Sequence, residues 1–350
     1  MSSKQRRLVL VGALLVSALV VGALLVAALS AWAGRRDEPT AAPPRDLPGA
    51  VPHELPAPAA ERRPSQSEAA RREVTTLYEH ETSAYRARLF ADVNGAVLLT
   101  EAGIVTFRDG KAPEERAITL GPVAALQGGS VVFWRSGRLR EVSLSGGDER
   151  ELVAMPRPPQ HLLASEGQVA WTQAARAAGT SLQTVSDGQV RVAYESEDTV
   201  TAAIMRGTAV YWVLRSRDRS WRLGRVELDG RQTLTRPRSG RPPSMLALGP
   251  DGVYFYEGPE QGVRKFTFDL EREDAVAAHV ICSPLAVSSR VVCAHVGGLF
   301  DIPGPGMPPR FLASERAAPV ATLAATEDRV FWVAESGEHL VVRSEPLAGL

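Results

Sequence analysis

After residue 90 a short run of consecutive apolar residues recurs seven times. The runs are Val97-Leu98-Leu99, Val132-Phe133-Trp134, Val169-Ala170-Trp171, Val210-Tyr211-Trp212, Val253-Tyr254-Phe255, Val291-Val292-Cys293 and Val330-Phe331-Trp332. The leading valines are 35, 37, 41, 43, 38 and 39 residues apart, a period expected of propeller blades. Neither neighbour in such a run is polar, so both faces of the strand are buried, as the inner strands of a blade wedged between two others must be.

Around the first six runs the pattern fills out to four strands. An apolar segment and a turn usually precede it, as with Leu246-Ala247-Leu248 before Gly249-Pro250-Asp251-Gly252. A third segment follows, as in Leu223-Gly224-Arg225-Val226-Glu227-Leu228, and ends in hairpin signals such as Asp229-Gly230. A fourth, more polar strand completes the unit, for example Arg150 to Ala154. The reading is an all-β, seven-bladed β-propeller over residues 66–350. The seventh repeat ends without its fourth strand, and Val74 to Tyr78 is the natural donor for the gap, since an open sheet edge invites association.

The first residues follow another rule. Leu8 to Trp32 is a stretch of 25 residues with no charge and no proline. As a helix it would span about 37 Å against a hydrocarbon core of about 30 Å. Lys4, Arg6 and Arg7 precede it, whereas Arg35 and Arg36 are offset by Asp37 and Glu38, so the positive-inside bias keeps the N-terminus in the cytoplasm. Residues 1–33 are therefore expected to be a cytoplasmic stub and a transmembrane signal anchor. That makes the protein single-pass in the cytoplasmic membrane, with the propeller in the periplasm or exterior. Ala31-Trp32-Ala33 also fits a cleavage site, but signal peptides carry apolar cores of only about 7–15 residues. Residues 34–65 contain eight prolines and almost nothing to bury, which predicts a disordered linker.

Charge changes the picture little. Acids and bases balance at 40 each, so no global field draws the chain to nucleic acid. Three lysines against 37 arginines do bias the surface toward guanidinium chemistry. In the fourth repeat the loop between strands two and three carries Arg215, Arg217 and Arg219, and the segment leaving strand four carries Arg236, Arg238 and Arg241. In a propeller these loops open on one face, which makes the six arginines the candidate binding patch for an anionic ligand or an unidentified protein partner.

No catalytic residue, metal site or cofactor motif is found: six histidines are scattered, and neither a nucleophile elbow nor a phosphate loop is present. The leading expectation is a non-catalytic binding or scaffolding module. The alternative is a propeller hydrolase or lyase with its site at the central channel. Cys282 and Cys293 would meet an oxidising compartment after export. With a hairpin at Ser288-Ser289-Arg290, Cys293 faces about Leu285. A disulfide therefore needs a bend near Pro284, and both a disulfide and two buried thiols stay open.

Val210-Tyr211-Trp212 and the turn Leu228-Asp229-Gly230 resemble the YWTD-type and TolB-like propellers of extracytoplasmic proteins. Val213-Leu214 stand where that pattern has Thr-Asp. The resemblance covers roughly residues 74–347 and implies a binding platform.

Overall fold

The computed structural model describes residues 74–80, 87–92, 94–175, 179–295, 298–304, 307–313, 320–336 and 339–347. The expected membrane helix and proline-rich linker lie outside the described residues. The described residues all belong to one unit, Gln66–Leu350.

Among the described residues, twenty-eight strands make seven antiparallel sheets of four. Blade 1 is β2 (Arg88–Asp92), β3 (Gly95–Leu99), β4 (Gly103–Arg108) and β5 (Glu114–Ala117). Blade 2 is β6 (Val123–Gln127), β7 (Ser130–Arg135), β8 (Arg138–Ser143) and β9 (Arg150–Ala154). Blade 3 is β10 (His161–Ser165), β11 (Gln168–Ala174), β12 (Thr180–Ser186) and β13 (Gln189–Ser196). Blade 4 is β14 (Thr199–Arg206), β15 (Ala209–Arg215), β16 (Trp221–Glu227) and β17 (Gln232–Leu234). Blade 5 is β18 (Leu246–Leu248), β19 (Val253–Tyr256), β20 (Val263–Phe266) and β21 (Glu273–Ala277). Blade 6 is β22 (Leu285–Val287), β23 (Val291–His295), β24 (Gly298–Ile302) and β25 (Arg310–Ala313). Blade 7 is β26 (Val320–Ala325), β27 (Arg329–Ser336) and β28 (His339–Pro346), closed by β1 (Thr75–His80) as its fourth strand. The fold is a seven-bladed β-propeller.

Blade 7 is built from both ends of the propeller sequence. Thr75 pairs with Ser344 and His80 with Leu340, so the strand missing from the last repeat is supplied from before the first. First strands of neighbouring blades lie side by side around the axis, as with β6 and β10 or β26 and β2. Register shifts between the third and fourth strands of blades 2, 3, 5, 6 and 7 mark where the outer strand twists away.

The core is seven wedges between blades rather than one central mass. Counting outward from each first hairpin, Leu98, Phe133, Trp171, Trp212, Phe255, Cys293 and Trp332 occupy one position, opposite Leu89, Ala124, Leu162, Ala203, Leu246, Leu285 and Leu323. Each is 2 % exposed or less and faces the preceding blade. The residue before it (Val97, Val132, Ala170, Tyr211, Tyr254, Val292, Phe331) faces the following blade.

This corrects the sequence alignment in two repeats. In blade 2 the equivalent triplet is Val131-Val132-Phe133, so Phe133 holds the ring position and Trp134 lies one residue beyond it. A one-residue step along a strand turns a side chain to the other face. Trp134 is accordingly only half-buried, and its Nε1 donates to Met155 O at 2.8 Å. In blade 1 the same shift puts Leu98, not Leu99, on the ring.

Candidate functional site

Antiparallel order within each blade sends the connection between strands two and three, and the segment leaving strand four, to the same face. In blade 4 the register makes this explicit. Arg215 closes β15 opposite Trp221, and Trp221 forms a backbone bridge with Arg238, whose N and O each bond to its main chain. Both arginine-bearing loops are thereby brought beside one strand end.

Five of the six arginines are free on this rim. Arg215, Arg217, Arg219, Arg236 and Arg241 are exposed, and among the described residues their side chains have no ion pair. The acid between them, Asp218, accepts from Ser220 N at 2.8 Å. That hydrogen bonding, more than Arg222 nearby, holds its carboxyl below the usual range.

Arg238 does something else. Its Nη1 donates to Glu257 Oε2 at 3.0 Å and its Nη2 to Glu273 Oε1 at 2.5 Å. The guanidinium also lies 5.2 Å from the centre of the Trp221 ring, with Phe266 and Phe255 at 5.8 and 6.0 Å. Arg264 contacts the same two acids. Burial pushes the Glu257 carboxyl up, with Arg238 and Arg264 opposing and Glu273 adding to it. With its charge committed to blade 5, Arg238 pins the loop that displays Arg236 and Arg241 and is not itself an open anion donor.

Cys282 and Cys293 are bonded to each other, with Cα atoms 4.9 Å apart. Cys293 pairs with Leu285, and the chain folds back before it. Ser283 N donates to Ala294 O, and Ala294 N donates to Pro284 O, each at 3.0 Å. The bond therefore clamps the segment entering blade 6 to that blade's second strand.

The first strands bring Arg88 and His161 to the channel end on the rim face. Arg88 Nη1 donates to Ala124 O at 2.9 Å. His161 is pushed down by burial, opposed by a backbone hydrogen bond at Val200 and reinforced by the charge of Arg88. Among the described residues no three His, Cys, Asp or Glu side chains gather in a way that would hold a metal ion. Asp251 and Asp328 act as turn residues, accepting from Tyr254 Oη and Thr326 Oγ1 at 2.7 and 2.8 Å.

No family model and no curated relative matches the chain. Among solved structures, a chain of the mitotic checkpoint complex is similar at a TM-score of 0.53 and 10% identity, over 85% of this chain and 98% of that one. PorZ, a bacterial surface component of the type-IX secretion system of Porphyromonas gingivalis, is similar at a TM-score of 0.48 and 11% identity. That match covers 79% of this chain and 39% of that one. At 10% identity the first of these speaks for the fold alone.

Proposed function

We propose that this chain is a membrane-tethered, extracytoplasmic propeller that binds an anionic partner without catalysing a reaction, using the rim of blade 4. The observation that carries the reading is the set of five exposed guanidiniums on one edge, without an ion pair among the described residues: Arg215, Arg217, Arg219, Arg236 and Arg241. Arginine forks suit phosphate, sulfate and carboxylate groups, and Arg238 fixes one of the two loops. Tethering rests on the apolar stretch Leu8 to Trp32 and the charges around it. The YWTD-type and TolB-like resemblance, drawn from propellers outside the cytoplasm, agrees with it.

The test compares the full chain with a variant in which all five rim arginines are glutamine, on a heparin column eluted with salt. The wild type should elute at clearly higher salt, because each lost phosphate- or sulfate-like contact lowers the salt dependence of binding. Co-elution of the two would remove the rim from consideration. A variant with Arg108 and Lys111 changed instead, on the opposite face, should elute with the wild type.

A further inference from the structure

On the face opposite the rim, where the first hairpins turn, a shallow, open-sided cavity of about 500 Å³ lies at the meeting of blades 3, 4 and 5. Its floor is satisfied from within. Tyr211 Oη donates to Phe268 O at 3.0 Å, Thr208 Oγ1 donates to Glu227 Oε2 at 2.9 Å, and Arg225 pairs with Glu227.

Two charges on its walls are left over. Arg206, the last residue of β14, lays its guanidinium on the Phe268 ring at 4.0 Å from the centroid. The ring holds the guanidinium in place, and among the described residues no carboxylate pairs with it. On the blade 3 hairpin that also lines the cavity stands Glu166, exposed and, among the described residues, without an ion pair. Its Oε2 would lie 3.4 Å from a Cβ at position 207, where Gly207 with φ +56 turns the neighbouring hairpin. Gly207 N donates to Ser165 Oγ at 2.9 Å and ties the two hairpins together. Glu166 itself sits at φ 47, followed by Gly167 at φ 81, the geometry of a tight hairpin that favours Asn, Asp or Gly. A glutamate held in that region is a cost to the fold, and such costs gather at sites of function.

We propose that this cavity binds a small zwitterion, its carboxylate on Arg206 and its ammonium group on Glu166. Free amino acids and short peptides share that chemistry, and a volume of about 500 Å³ falls within the range of small-molecule sites. The site is independent of the arginine rim, which lies on the other face.

The experiment is calorimetry and thermal shift on the full chain in detergent. The probes are L-serine, L-glutamine and L-leucine, their C-terminal amides, and triglycine. Saturable binding of at least one free amino acid, or of triglycine, is expected, and which of them binds tells the two sources apart. Amides should bind at least tenfold more weakly than the acids, since they leave the guanidinium without its anion. Arg206→Ala should weaken binding at least tenfold with only a small fall in the melting midpoint, from the lost stack on Phe268. Glu166→Asn should weaken binding while raising the midpoint, because Asn suits the turn better; a merely structural role for Glu166 would not separate the two readouts. The rim variant should bind as the wild type does. Failure of every probe to bind, amides binding as well as acids, or an Arg206→Ala variant with wild-type affinity would each overturn the proposal.

Discussion

At Trp212 the indole is fully buried, with Tyr194 edge-on at 5.5 Å. The strand opposite makes room for it: a Cβ on Gly224 would come within 2.5 Å of Trp212 Nε1. Glycine in mid-strand here serves a close approach rather than a turn. Truncating Trp212 to Ala removes a large side chain from a rigid wedge between blades 3 and 4, and should cost about 3–5 kcal/mol. Trp134→Ala removes a half-buried ring and one hydrogen bond and should cost only about 1–2 kcal/mol. Denaturant unfolding of both variants checks this, and equal costs would contradict the difference in register. The sequence could not tell the two tryptophans apart for a physical reason. When both faces of a strand are apolar, the hydrophobic pattern carries no parity, and only the hairpin fixes which residue points where. The second role of Arg238 was hidden differently. Its partners stand 19 and 35 residues away in the next blade, and no local spacing links an arginine to Glu257 and Glu273.

Between elements, one joint is made where the two ends of the propeller sequence meet. β1 contributes backbone pairs to β28 and packs Leu77 and Tyr78 against the wedge between blades 7 and 1. Deleting residues 66–80 should unpair the long edge of β28 and lower stability by several kcal/mol, because a ladder and its side chains are lost together. Thermal unfolding decides it: a truncated chain melting at the wild-type temperature would mean that β1 contributes nothing to closure. This joint was legible in the sequence because repeats count strands, and one short segment stood unassigned before the first repeat. The zwitterion cavity was not legible. It depends on three hairpins meeting, and Arg206 and Phe268 become neighbours only once blades 4 and 5 stand side by side.

At the scale of the whole molecule, location and covalent state are linked. Among the described residues no helix is long and apolar enough to cross a membrane, and the proposed tether is the stretch Leu8 to Trp32. If the positive-inside bias orients that stretch as proposed, the propeller folds where disulfides persist, and the Cys282–Cys293 bond follows from the same topology. Retention in the cytoplasm would present both cysteines to a reducing pool instead. Three readings on one preparation then have to agree. A reporter fused after Leu350 should be active only if it works outside the cytoplasm. The protein should stay with the membrane fraction through alkaline extraction. Denatured without reductant it should expose no free thiol, and with reductant both. A shorter, fully soluble species would point to cleavage after Ala33 and defeat the anchor while leaving export intact. Two free thiols together with a reporter active inside the cell would defeat export itself, and with it an extracytoplasmic setting for either binding face.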